Sequence, residues 1–121
     1  GNDMKLFVGL AVVMALAGCT MSMDEARQKG PIAQFSSAKA PSMVAACIAP
    51  TWSSQSYRMV MFDAVVQPGR NEGFMVKSIG ANEAVDIAQS GQGSALKYFS
   101  ANADSLDAWS QMRIKGIRSC L

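Results

Sequence analysis

The hydrophobic rhythm of this chain changes several times. From Leu6 to Gly18 it runs 13 residues without a charge. From Pro41 to Ala49 the apolar positions return at helical spacing: Val44, Cys47 and Ile48 share one face, and Thr51 and Trp52 prolong it. Proline suits the first turn of a helix, so Pro41 marks its start, whereas Pro50 removes a backbone donor and should kink or end it. From Tyr57 the period is two. In Arg58 to Gln67 the residues Val60, Phe62, Ala64 and Val66 fall on one side. Pro68-Gly69-Arg70-Asn71-Glu72-Gly73 then supplies turn chemistry. Three further strands are predicted at Phe74–Ile79, Ala84–Ala88 and Ser94–Ser100, punctuated by Gly80-Ala81-Asn82 and Gly91-Gln92-Gly93. A closing helix follows, with Asp104 at the N-cap position and Asp107 in the first turn. Its stripe is Leu106, Trp109, Arg113, Ile117 and Cys120, with Met112 and Ile114 at the margins and Gly116 weakening it by about 1 kcal/mol.

These periods predict an α+β fold of order α-β-β-β-β-α. Short connections make a four-stranded antiparallel meander, with the N- and C-terminal helices packed on one face and Cys47 facing Cys120. The single domain is expected at 41–121. Residues Thr20 to Ala40 show no sustained periodicity and read as a tether, with a helical turn around Asp24 to Lys29. A flexible chain of about 20 residues reaches roughly 25 Å. Ile32 and Phe35 offer it a means to dock on the domain.

The first apolar run is too short to span a bilayer, which takes about 20 apolar residues. One lysine (Lys5), an apolar core and small residues before a processing point match a secretory signal peptide over 1–18. Gly1-Asn2-Asp3 precede what reads as an initiator, Met4, and are set apart from the fold. Leu16-Ala17-Gly18-Cys19 resembles the lipobox of bacterial lipoproteins. That resemblance implies cleavage before Cys19, lipidation of its thiol and a covalent acyl/diacylglyceryl lipid (palmitate among its chains) on Cys19, the only prosthetic group expected. Thr20 and Met21 follow where an inner-membrane retention signal would have aspartate, which favours outer-membrane sorting in a Gram-negative envelope, with the domain in the periplasm. Two or more acyl chains anchor a protein stably where one does not. Residues 19–40 would then be the lipidated cysteine and its tether.

With Cys19 lipidated, Cys47 and Cys120 remain, and an even pair in an exported protein reads as a disulfide. The alternative is two inert buried thiols. From Cys19 onward ten Lys and Arg stand singly against eight Asp and Glu, so nucleic acid is an unsuited partner. Histidine is absent, which removes the commonest general base and metal ligand. No metal site is expected.

"VAACIAPTWSS", "EGFMVKSIG", "AVDIAQSGQGSALKYFS" and a terminal "IRSCL" together resemble a group of small exported proteobacterial proteins of unassigned function. The likeness runs from Met43 to Leu121 and implies the same fold and the paired cysteines; it implies no activity. Pro50 departs from the group's helical continuation.

Catalytic patterns are thin. Ser36-Ser37-Ala38-Lys39 and Ser94-Ala95-Leu96-Lys97 match Ser-x-x-Lys, the spacing found in penicillin-recognising enzymes. The first lies in the tether, and the second lies in a strand whose positions i and i+3 point to opposite faces. Asp63 and Asp86 are strand carboxylates expected to point outward beside Lys77 and Lys97, with a weak sugar, peptidoglycan or cation site as the functional alternative. Trp52 and Trp109 read as core. The outward sheet face should carry Met59, Met61, Val65, Met75 and Phe99, an apolar patch of the kind that marks an interface. Either this face binds an envelope protein or a second copy, or the tether folds over it. The expectation is a non-enzymatic, lipid-anchored accessory or binding module that touches the membrane through its anchor. The alternatives are an inhibitor or sensor of an envelope hydrolase, which small lysozyme-blocking lipoproteins resemble in size and anchor, and a small-ligand-binding lipoprotein.

Overall fold

Strand alternation is resolved into a sheet at five places. In a computed structural model, which describes residues 23–101 and 107–121, the elements are α1 (Met23–Lys29), β1 (Ala33–Ser37), α2 (Pro41–Ser54), β2 (Ala64–Pro68), β3 (Phe74–Ser78), β4 (Glu83–Ser90), β5 (Gly93–Ser100) and α3 (Ala108–Arg118). The sheet order is β1-β5-β4-β3-β2, and every neighbouring pair is antiparallel. The expected four-stranded meander is present as β2 to β5. The fifth strand, β1, comes from the stretch read as tether, and it pairs Ala33 with Tyr98 through Ser37 with Ser94. Its alternation is faint, because only Phe35 among its inward positions is strongly apolar. Gly93 permits this edge: a Cβ there would collide with the Ser37 carbonyl.

α2 and α3 cover one face of the sheet. Val44, Ile48 and Trp52 from α2 meet Val76, Val85, Ile87, Leu96 and Tyr98 from the sheet and Ile114 and Ile117 from α3. α2 does not stop at Pro50 but continues to Ser54. Pro50 and Ala46, whose carbonyl loses its helical partner to the proline ring, both lie on the exposed side, where water replaces the missing bond. Trp52 is thus inside the helix and fully buried. α3 is capped by Asp107, whose carboxylate accepts from the Trp109 backbone N–H at 2.9 Å. Asp104 and Leu106, the expected cap and first stripe residue, lie outside the described residues, as do Leu16 to Cys19. Gly116 weakens α3 locally but serves the packing: a Cβ there would stand 2.6 Å from Gln55 Nε2 and 3.2 Å from Trp52 Cδ1. Cys47 and Cys120 form a disulfide across 73 residues, tying α2 to the end of the chain.

The opposite face carries α1, realising the helical turn foreseen around Asp24. Asp24 and Glu25 occupy its first turn and Arg27 and Lys29 its last, as the helix dipole favours, and Gly30 (φ +91°) ends it. Ala26 packs on Phe99 and Ala101. No described helix is long and apolar enough to cross a membrane.

Candidate functional site

The residues between α2 and β2 depart most from expectation. The period-two run from Arg58 predicts a strand, yet β2 begins only at Ala64. Tyr57 and Val60 instead exchange backbone hydrogen bonds of 3.0 and 2.9 Å and close a tight turn. Its central residues, Arg58 and Met59, adopt φ of 50° and 65°. Neither is glycine, so the turn carries backbone strain of about 1 kcal/mol or more. Met59 is 97% exposed at the tip, and Val60 and Met61 are exposed beside it. The Arg58 guanidinium lies over the Tyr57 ring at 5.3 Å.

The base of this tip is held by a buried polar knot. Arg113 is completely buried on α3, between the rings of Trp52 (4.8 Å) and Trp109 (4.5 Å). All five of its N–H groups find acceptors. Nε donates to Glu83 Oε2 at 2.9 Å; Nη1 donates to the Trp52 carbonyl at 2.5 Å and Gln55 Oε1 at 3.1 Å. Nη2 donates to the Phe62 carbonyl at 3.3 Å and Ser78 Oγ at 3.0 Å. Glu83 in turn accepts from Ser78 Oγ (2.7 Å), Tyr98 Oη (2.6 Å) and Trp109 Nε1 (3.0 Å). The knot explains the truncated strand. Arg113 takes the Phe62 carbonyl, and the Phe62 ring stacks edge-on against Trp109 at 5.6 Å instead of continuing the ladder. Ser53 fastens the start of β2, two residues on, by exchanging bonds with both the N–H and the carbonyl of Ala64. Phe62, Gly80, Glu83 and Trp109 also line a surface cleft of about 340 Å³.

Tyr98 donates from inside the core, and burial followed by the negative charge of Glu83 pushes its phenol well above the ordinary range. Because the folded value exceeds the unfolded one, the neutral phenol's contribution is complete below about pH 10 and declines above it. Urea unfolding midpoints should fall between pH 10 and 11.5 in the protein, and the Tyr98→Phe variant should lose part of that fall.

The five expected interface residues do not form one patch. Met59 and Met61 belong to the exposed tip, whereas Val65 and Met75 are half-buried on the sheet face opposite α2. Phe99 is buried beneath α1, whose Arg27 approaches Met75 Sδ at 3.2 Å. The tether thus covers part of the face left open in the sequence. Asp86 is paired with Arg27 at 2.7 Å. Asp63 lies opposite Ile79 and Asp86 opposite Met75, four residues apart along β3 and on opposite sides of it, so their backbones stand roughly 16 Å apart and the two carboxylates form no pair. Neither Ser-x-x-Lys match forms a dyad. Ser94 Oγ donates to the Lys39 carbonyl, Lys97 stands on the other face, and Lys39 Nζ reaches the Cys120 carbonyl. Trp52 is core, and Trp109 is half-buried over the knot. Among the described residues no group of three or more His, Cys, Asp or Glu could hold a metal ion.

Glu83 escaped sequence reasoning because it follows Gly80-Ala81-Asn82 and reads as part of a turn. The available signal was Arg113, a cation on an otherwise apolar stripe, which demands a buried partner. Comparison with known proteins finds no matching family model, no matching curated protein and no matching solved structure.

Proposed function

We propose that this chain is a lipid-anchored binding module of a Gram-negative envelope that acts by engaging a protein partner through the Tyr57–Met61 tip. The observation that carries this is the tip itself: strained backbone, a fully presented methionine and two further exposed apolar side chains on a rigid base. Strain persists only where the surrounding structure over-determines it, and it concentrates at functional sites. Methionine adapts to varied partner surfaces. The Leu16-Ala17-Gly18-Cys19 motif supports attachment through Cys19, and the likeness to small exported proteobacterial proteins suits the same compartment.

Palmitate labelling of the protein in its native cells should be abolished by Cys19→Ala. Affinity purification from membranes after crosslinking should recover an envelope protein in near-stoichiometric amount, reduced at least tenfold by Met59→Lys with Met61→Lys. Recovery unchanged by that pair of substitutions would remove the tip from the account.

A further inference from the structure

A second concave feature lies on the sheet face that carries α1, away from the tip. It is a groove of about 420 Å³ between α1, the β2–β3 turn and the outer faces of β4 and β5. Ala88 and Ala95, directly paired across β4 and β5, are small enough to leave it open. Around this floor stand Arg27, Arg70, Asn71 and Lys97, and one carboxylate, Asp86. Asp86 is committed to Arg27, whose Nη2 it binds at 2.7 Å. Arg70 and Lys97 have no ion-pair partner among the described residues.

Arg27 adds an independent observation. Its side chain is 16% exposed, and its Nη1 is buried with no hydrogen-bond partner among the described residues. A buried guanidinium donor left unsatisfied is costly, and natural proteins answer it with water or an ion. The rest of the guanidinium is fixed: Nη2 serves Asp86 and Met75, and the plane lies over Phe99 at 5.3 Å. Three cations against one already occupied carboxylate leave a surplus of two positive charges around a cavity near the lower end of small-ligand sites, about 300–1,000 Å³.

We propose that this groove binds a small oxyanion of the phosphate-monoester or phosphodiester type, with Arg27, Arg70 and Lys97 as its charged donors and Asn71 as a neutral one. Tetrahedral oxygens meet donors arriving from three elements at once, and each bond is charge-assisted. The same chemistry is offered by a soluble phosphorylated solute and by an anionic lipid headgroup. The proposal concerns this groove alone and does not depend on the tip or on acylation of Cys19.

The test titrates the full chain at 0.15 M salt with inorganic phosphate, glycerol 1-phosphate and dihexanoylphosphatidylglycerol below its micelle concentration. The readouts are the NMR resonances of the Arg27 guanidinium and of the Asn71, Asp86 and Lys97 amides. Saturable shifts with a Kd on the order of 1 mM for inorganic phosphate are expected, weakened about tenfold or more by Lys97→Ala with Arg70→Ala. Both positions are exposed, so the fold should survive these substitutions. Binding of the lipid at least tenfold tighter than glycerol 1-phosphate assigns the groove to a headgroup. Equal affinities assign it to a soluble solute. Shifts that never saturate, or that persist unchanged in the double variant, overturn the site.

Discussion

Replacing Arg113 by methionine is expected to destabilise the protein by about 3–5 kcal/mol, the usual result of removing one partner of a buried ion pair. The loss is not that of one salt bridge. Arg113 satisfies the carbonyls of Trp52 and Phe62, the Gln55 and Ser78 side chains and Glu83, all buried or half-buried. Methionine leaves Glu83 buried without its counter-charge and orphans the Phe62 carbonyl that ends the tip. For a domain near 100 residues this lowers the melting temperature by roughly 15–30 °C. Glu83→Gln should cost less on its own, because the amide still accepts from Tyr98 and Trp109. The double variant should be less destabilised than the sum of the singles, since methionine then no longer faces an unpaired charge. Urea denaturation of the four proteins checks this; strictly additive effects would contradict the knot.

Reduction of Cys47–Cys120, or Cys47→Ala with Cys120→Ala, should cost roughly 4 kcal/mol in the chain-entropy account, because the bridge spans 73 residues. The structural consequence is local. α3 has 11 residues, too few to persist as an isolated helix in water. It is held at its middle by Arg113 and the Trp52 Nε1 bond to the Arg113 carbonyl, and at its end by the disulfide. Without the bridge the last turn loses its fastening first. Amide hydrogen exchange should therefore accelerate most at Ile117 to Leu121, with β4 and β5 changing only as global stability falls. Uniform acceleration across the sheet and α3 would show that the bridge acts on the unfolded chain alone.

The parts of the fold legible in the sequence were those where one physical signal dominated. β3, β4 and β5 combine alternation with glycine-bearing turns; Gly91 takes φ +59° at the first central position of a two-residue hairpin, as such turns require. The α2 stripe was clear enough to bring Cys47 to Cys120. What was missed has particular causes. β1 alternates weakly, and its pairing rests on Gly93 being able to touch a distant backbone. Pro50 carries a helix-breaking signal in the sequence, but whether it breaks α2 depends on which side of the helix meets water. The run Arg58–Asp63 has strand periodicity, but a buried guanidinium some 50 residues away captures the Phe62 carbonyl. Parity places Val65, Met75 and Asp86 on the face opposite α2, yet α1 covers Phe99 on that face and engages Asp86. A long-range polar partner leaves no mark in local periodicity, and both candidate sites depend on such partners.

A photo-activatable residue placed at Met59 in the native cells, with the same residue at Ser36 on the opposite edge strand as control, tests the proposed binding role most directly. One or two discrete adducts are expected from position 59, absent from position 36 and lost on adding Met61→Lys. The same adduct pattern from both positions, or none from position 59, would contradict it.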